Sequence, residues 1–319
     1  MDLDVLGVCL LRDIVAQSSG LADSMLALQG LGYGPIALAG SSAQREQYAP
    51  GVRRGTSIAG FALTEPNAGS DVASLETVAE DVQDGFLLRG TKKLISNAGI
   101  AAHYVVFART SREGGHRGIS ALIVHAEEVS RVERYDLIAP HPIGELHFED
   151  VFIPRDRLVG ELGGGFKLAL RTLDHFRTTV GAAANGMAAR ALDEALARSE
   201  SRYQFGTAIG RHQLIAAQLA DAHVELEASR LLVMRAATSF RRGHPLAGLH
   251  SSAAKLYATE AAQRIIDRAV QIFGGDGVRR GHVVERLYRE VRALRIYEGT
   301  SEIQRLVISR SLSKARHGA

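Results

Sequence analysis

The spacing of apolar positions changes twice along the chain. From Leu3 to about Gln47 the sequence is apolar and rich in Ala and Leu (VLGVCLLRDIVAQ, then LADSMLALQGLG), which predicts short helices broken at glycine and proline. From about residue 58 to 158, β-branched and aromatic residues rise and the period shortens. Residues 86–88, 104–107, 119–124 and 146–148 read as strands, with turn signals at Asp84-Gly85, Gly114-Gly115 and Pro140-His141-Pro142. This predicts a compact antiparallel β unit.

After Gly163, Gly164 and Gly165 the helical period returns and stays. Residues 188–203, 212–241, 251–273 and 281–292 place apolar side chains near every third or fourth position, as Leu214, Ala217, Leu219, Ala222 and Leu226 illustrate. Four helices with brief breaks predict an up-and-down bundle. The expected fold is therefore α+β, with a partial helical domain over 1–57, a β domain over 58–158 and a helical bundle over 159–319.

Composition narrows the function. A chain of 319 residues, 46% hydrophobic and 23% charged, is long enough for two or three packed units sharing one buried core. The net charge of +3 comes from Lys and Arg scattered among Asp and Glu, which suits a phosphate-bearing small ligand and argues against a nucleic-acid track. Cys9 is the only cysteine, excluding an intrachain disulfide or a cysteine zinc site; no metal site is expected. The longest uncharged stretch, Ser24 to Gln44, has about the length of a membrane span but contains Pro35, four glycines, Gln29 and Gln44, and reads as packed helix and loop, not a bilayer span. The first residues lack the basic region of a signal peptide, so the expected location is cytoplasmic.

Several segments carry candidate chemistry. FALTEPNAGSD (61–71) leaves a strand-like run for a glycine-containing loop with hydroxyls at Thr64 and Ser70; its N–H groups and hydroxyls could hold a flavin edge or a phosphate, or be an ordinary loop. LISNAG (94–99) ends a strand with Ser96, a ligand hydroxyl or a solvated one. In LDHFR (173–177), Asp174 and Arg177 form an (i, i+3) pair that is either a surface ion pair or a substrate contact. RYQFG (202–206) and QIFGGDG (271–277) end helices, where glycine caps or admits a ligand close to the backbone. IYEGTSEIQ (296–304) sets Glu298 in an apolar context before a final helix. A desolvated carboxylate there has its pKa raised, as a general base requires; Thr300 and Ser301 also suit helix capping.

Taken in order, these segments resemble the acyl-CoA dehydrogenase family over about residues 55–312. The resemblance implies FAD as cofactor and an acyl-CoA thioester as substrate. It implies that Phe61, Leu63, Thr64, Gly69, Ser70, Ile95 and Ser96 contribute to the flavin site, with the Thr64 and Ser96 hydroxyls on the ring and Ser70 between cofactor and thioester. Arg202, Phe205 and Gln213 would bind the diphosphate and adenine end of a neighbouring subunit's FAD, completed by Gln271, Gly274 and Gly275. Thr300 and Glu302 would touch FAD, and Asp174 and Arg177 would line the acyl-CoA channel.

Glu298 matches the catalytic carboxylate of the larger branch; the alternative position near Phe176 carries no base. The implied reaction is α,β-desaturation, with Glu298 removing the α-proton and flavin N5 taking the β-hydride. An electron-transfer flavoprotein is the expected acceptor, and a homodimer or homotetramer the expected assembly. The alternatives are an acyl-CoA oxidase, a dehydrogenase of acyl groups on a carrier protein, or a non-catalytic flavin-binding relative. Two features depart from the family. Leu94 stands where an aromatic residue, often Trp, is usual, and the chain has no Trp. The family's first helices have no counterpart upstream of Leu3, implying a shortened amino-terminal helical domain.

Overall fold

The computed structural model describes residues 4–111 and 115–317. Leu3 and Gly114, part of the expected helical start and of one expected turn, lie outside the described residues. Three helices come first: α1 (Val5–Ser18), α2 (Gly20–Ala39) and α3 (Ser42–Arg54). The strands β1 (Ala59–Ala62), β2 (Val78–Val82), β3 (Gly85–Ser96), β4 (His103–Arg109), β5 (Ile119–His125), β6 (Arg131–Arg134), β7 (Ile143–Pro154) and β8 (Leu158–Val159) follow. The remainder is α4 (Gly165–Ser201), a hairpin of β9 (Tyr203–Gln204) and β10 (Thr207–Ala208), then α5 (Gln213–Arg241), α6 (Ala247–Phe273), α7 (Val283–Val291) and α8 (Ser301–His317). Among the described residues, no helix is long and apolar enough to cross a membrane.

The described chain divides into two compact units: residues 24–173, and residues 4–23 together with 174–317. The first unit is built on one eight-stranded sheet of order β6-β7-β3-β2-β4-β5-β8, with β1 added alongside β4. The ladders are antiparallel as expected, except that β1 and β2 pair with β4 in parallel. Along β4 six consecutive residues are buried, so a continuous apolar run replaces the alternation of a strand with one wet face. Phe86, Leu88, Val106, Leu122 and Val124 are fully buried, each worth about 1.5–3 kcal/mol of transfer free energy. The Asp84-Gly85 turn is where the sequence places it: Asp84 is left-handed (φ 66°) and closes the β2–β3 hairpin.

The expected short, broken helices near the amino end are instead long. α2 runs unbroken through Gly30, Gly32, Gly34 and Pro35. Packing outweighs propensity here, because a Cβ at Gly32 would lie 2.6 Å from the backbone of Ala59; the glycine lets helix and strand meet backbone to backbone. α3 is delimited by local chemistry. Ser41 and Gln44 form a reciprocal capping box, and Gly55, left-handed at φ 69°, ends it.

In the second unit α6 packs against α5, α7 and α8, and α1 against α5. The core is dominated by small residues, among them Ala183, Ala184, Ala191, Ala236, Ala254 and Ala258, which permit close helix approach. Three expectations are corrected. The helix expected over 188–203 begins at Gly165, and Tyr203 belongs to the hairpin. The helix expected over 281–292 is shortened to the nine residues of α7. The apolar stripe of α5 is buried only at its far end: Ala222 and Leu226 are in the core, whereas Leu214 is 80% exposed and Ala217 is exposed.

Candidate functional site

Glu298 sits in the second unit, in the turn that leads into α8. Its backbone is left-handed (φ 53°), followed by Gly299 at φ 90°. For a non-glycine residue this conformation is strained and persists only when its surroundings impose it. Here they do: Arg177 Nε donates to the Glu298 carbonyl at 3.0 Å, Gln304 Nε2 donates to the Gly299 carbonyl at 2.9 Å, and Lys255 Nζ donates to the same oxygen at 2.7 Å. A Cβ on Gly299 would lie 2.6 Å from Gln304 Nε2, so both the positive φ and the space call for glycine.

While the Glu298 backbone is anchored, its carboxylate is not. Oε2 is buried and has no hydrogen-bond partner among the described residues. Burial pushes the carboxyl up to about 7, against the opposing pull of Arg12, Lys255 and Arg177. Such a group exists in both protonation states near neutral pH, the condition for exchanging a proton with a weakly acidic carbon. Lys255, wholly buried, is itself pushed down to about 8 by burial.

Arg177 is not the surface residue that its (i, i+3) spacing with Asp174 allows. It is 6% exposed, with NH1 on Asp174 Oδ1 at 2.5 Å and Nε on the Glu298 carbonyl. Asp174 is raised above the usual carboxylate range by burial, with Arg177 opposing. Ser251 Oγ donates to the Asp174 carbonyl at 2.9 Å, tying this turn of α4 to α6.

Sequence reasoning missed Arg12. On α1 it falls in the buried stripe Val5, Cys9, Arg12, Ala16, a core position occupied by a cation. Nε and NH2 hold both oxygens of Asp23 at 2.8 and 2.7 Å, and NH1 reaches Thr179 Oγ1 at 2.9 Å; Arg12 and Asp23 are each 1% exposed. Its signal in the sequence is the interruption itself, because an Arg at (i, i+3/i+4) spacing among apolar residues must find a buried partner.

The expected flavin loop lies in the first unit. Glu65 is buried, and accepts from Glu76 N at 2.5 Å, Thr77 N at 3.1 Å and Lys92 Nζ at 2.6 Å. Burial pushes Glu65 upward, but Lys92 and the two N–H groups outweigh it and leave the carboxyl below its ordinary range; Lys92 is pushed down to about 8 by its own burial. This pair, also missed in the sequence, fixes the loop start. Lys93 N donates to the Thr64 carbonyl at 2.8 Å, drawing Thr64 alongside β3.

At that edge Thr64 is half-buried, Ser70 and Gly69 are exposed, and Leu94, left-handed at φ 55°, is 49% exposed. Ser96 closes β3 with its hydroxyl 2.9 Å from His141 Nε2. Asn97 (φ 64°) fixes the turn that follows, donating to the carbonyls of Pro142 and Ala59. Ile95 and Leu63 are buried, and Phe61 stacks on Phe107 at 4.9 Å, so these three side chains serve the packing under the loop. Hydroxyls beside an apolar surface suit a planar ring with a polar rim.

The remaining candidates lie on the second unit's surface. Arg202, Gln213 and Gln271 are exposed, and Phe205 is 96% exposed in the hairpin turn. Among the described residues, none comes within 4 Å of where a Cβ on Gly274 or Gly275 would lie. Thr300 Oγ1 accepts from Ile303 N at 3.3 Å, so it caps α8, and Glu302 is exposed in its first turn. Among the described residues Glu133, Glu145 and His147 could ligate an ion, their atoms lying within 4.8 Å, but Arg131 pairs with Glu133 and Lys93 with Glu145.

Comparison with known proteins shows the family to which these two units belong. Residues 60–151 match the acyl-CoA dehydrogenase middle domain and residues 163–313 the acyl-CoA dehydrogenase C-terminal domain. The probable acyl-CoA dehydrogenase FadE25 of Mycobacterium tuberculosis is 41% identical over 313 residues, 97% of this chain and 80% of that protein. The structure of butyryl-CoA dehydrogenase from Megasphaera elsdenii superposes with a TM-score of 0.93 at 36% identity, covering 97% of this chain and 82% of that one. An FAD complex of PigA superposes at 0.93 with 29% identity, covering 98% and 83%. The chain belongs to the acyl-CoA dehydrogenase family.

Proposed function

We propose that the protein is an FAD-dependent acyl-CoA dehydrogenase that desaturates the Cα–Cβ bond of an acyl-CoA thioester. The observation that carries this reading is Glu298: a carboxylate with a locked backbone, one oxygen without a hydrogen-bond partner among the described residues and an affinity for protons near neutrality. Its carboxylate would take the α-proton, becoming the neutral acid that its surroundings favour. FAD, when bound, accepts the β-hydrogen as hydride.

Thr64 and Ser96 would hold the flavin ring, with Ser70 towards the thioester and the backbone of Phe61, Leu63, Gly69 and Ile95 shaping the loop. Arg177 has two tasks in this reading. With Asp174 it would line the acyl channel, and through the Glu298 carbonyl it keeps the base in place. Thr300 and Glu302 would contact FAD from α8.

A second copy of the chain would supply Arg202, Phe205, Gln213, Gln271, Gly274 and Gly275 to the far end of the cofactor. The exposure of Phe205, of Leu214 (80%) and of Leu231 (71%) supports an assembly in which another subunit covers them. An electron-transfer flavoprotein would reoxidise the flavin.

The test is anaerobic addition of short, medium and branched acyl-CoAs to the purified holoenzyme. Bleaching of the flavin band with formation of the enoyl-CoA supports the proposal. A flavin band untouched by every thioester contradicts it.

A further inference from the structure

Ser96 pairs with Ile143 in the β3–β7 ladder, so the segment entering β7 passes over the end of β3. Within that segment His141 lies between Pro140 and Pro142. The prolines fix φ on either side, and Asn97 N donates to the Pro142 carbonyl at 2.7 Å. The imidazole is held with Nε2 2.9 Å from Ser96 Oγ.

The charged and titratable groups around it are engaged elsewhere. Arg134 on β6 donates to the Gly99 carbonyl, and Glu145 on β7 is held by Tyr135, Lys93 of β3 and His147. Asp136, on the loop of His141 itself, is not among the groups that shift it. Burial alone moves the ring, downward from the ordinary histidine range, which favours the neutral form; in its Nδ1–H tautomer Nε2 has no proton and accepts.

A serine hydroxyl has one hydrogen to give. When Nε2 carries no proton it accepts that hydrogen, and Ser96 Oγ can face a ligand only as an acceptor. When Nε2 is protonated it donates to Ser96 Oγ, and the serine hydrogen is free for the ligand. We infer that His141 is a positioning residue for the flavin, setting through the Ser96 hydroxyl whether the ring edge receives or gives a hydrogen bond. This rests on the proposed placement of FAD against Ser96.

The experiment follows the visible spectrum and reduction potential of the bound flavin from about pH 5 to about pH 8, the window in which histidine switches charge, in the holoenzyme and in its His141→Gln and Ser96→Ala variants. The expected result is a break in the wild-type potential against pH, below the ordinary histidine pKa, with an accompanying shift of the flavin band. Both variants lose the break, and His141→Gln keeps the flavin. A break retained in His141→Gln overturns the inference and leaves the dehydrogenase reading standing. If His141→Gln does not hold flavin, Ser96→Ala decides: loss of the break supports the inference and its persistence refutes it. A wild-type protein that binds no FAD refutes the functional reading, and this inference with it.

Discussion

Arg177 Nε donates to the main-chain carbonyl of Glu298 at 3.0 Å, across 121 positions of sequence. The bond holds Glu298, the proposed base, by its backbone, and its Oε2 has no hydrogen-bond partner among the described residues. A base fixed through its side chain would lose that anchor on taking up a proton; one fixed through its backbone does not.

The first prediction concerns pH. With its carboxyl pushed up to about 7, Glu298, the proposed base, is mostly ionised only above that value. The rate of flavin reduction at limiting substrate should therefore rise through about pH 7 and level off above it. A rate independent of pH between 5.5 and about 8 would contradict this.

The same shift fixes the sign of a stability effect. The folded state holds the Glu298 proton more tightly than the unfolded state, whose value is 4.5. Stability therefore falls as pH rises from about 4.5 to about 7, and the full penalty persists above. Glu298→Gln should be more stable than wild type at pH 8 by roughly 1–3 kcal/mol, with the difference vanishing below about pH 4.5. Denaturant melts at the two pH values check it.

The Arg12–Asp23 pair gives a third prediction. Replacing Arg12 by Leu leaves Asp23 buried and unpaired, costing about 3–5 kcal/mol; adding Asp23→Leu should recover much of the loss. Because Arg12 opposes the upward shift of Glu298, its removal should also move the midpoint of the pH–rate curve upward. A curve that stays in place would show that Arg12 serves packing alone.

At Gly186 a Cβ would lie 2.1 Å from the Asp13 carbonyl oxygen. Gly186→Ala must therefore push α1 away from α4, with a stability loss of about 1–3 kcal/mol. Thermal unfolding of the variant tests this contact, which also seats Arg12 against Thr179.

Much of the architecture is legible in the chain. The shortened period at β4 and β5 and the Asp84-Gly85 turn place the sheet, and the ordered motifs from Thr64 to Gln304 identify the family. The missed features depend on distant partners. Gly32 and Pro35 read as helix breakers, and only the nearby Ala59 backbone explains an unbroken α2. Leu214 fits a core stripe, yet it faces outward. Arg12 and Lys92 find their carboxylates at Asp23 and Glu65, 11 and 27 positions away, and no local pattern connects them. His141 looks like part of a proline turn until the β3–β7 register places it over Ser96.

The most direct measurement is the rate at which an accepted acyl-CoA bleaches the flavin anaerobically, compared between wild type and Glu298→Gln. The variant should retain FAD and bind the thioester, while bleaching falls by about 10²–10⁴-fold, the range for loss of a general base. A variant that bleaches at the wild-type rate would show that another group removes the α-proton.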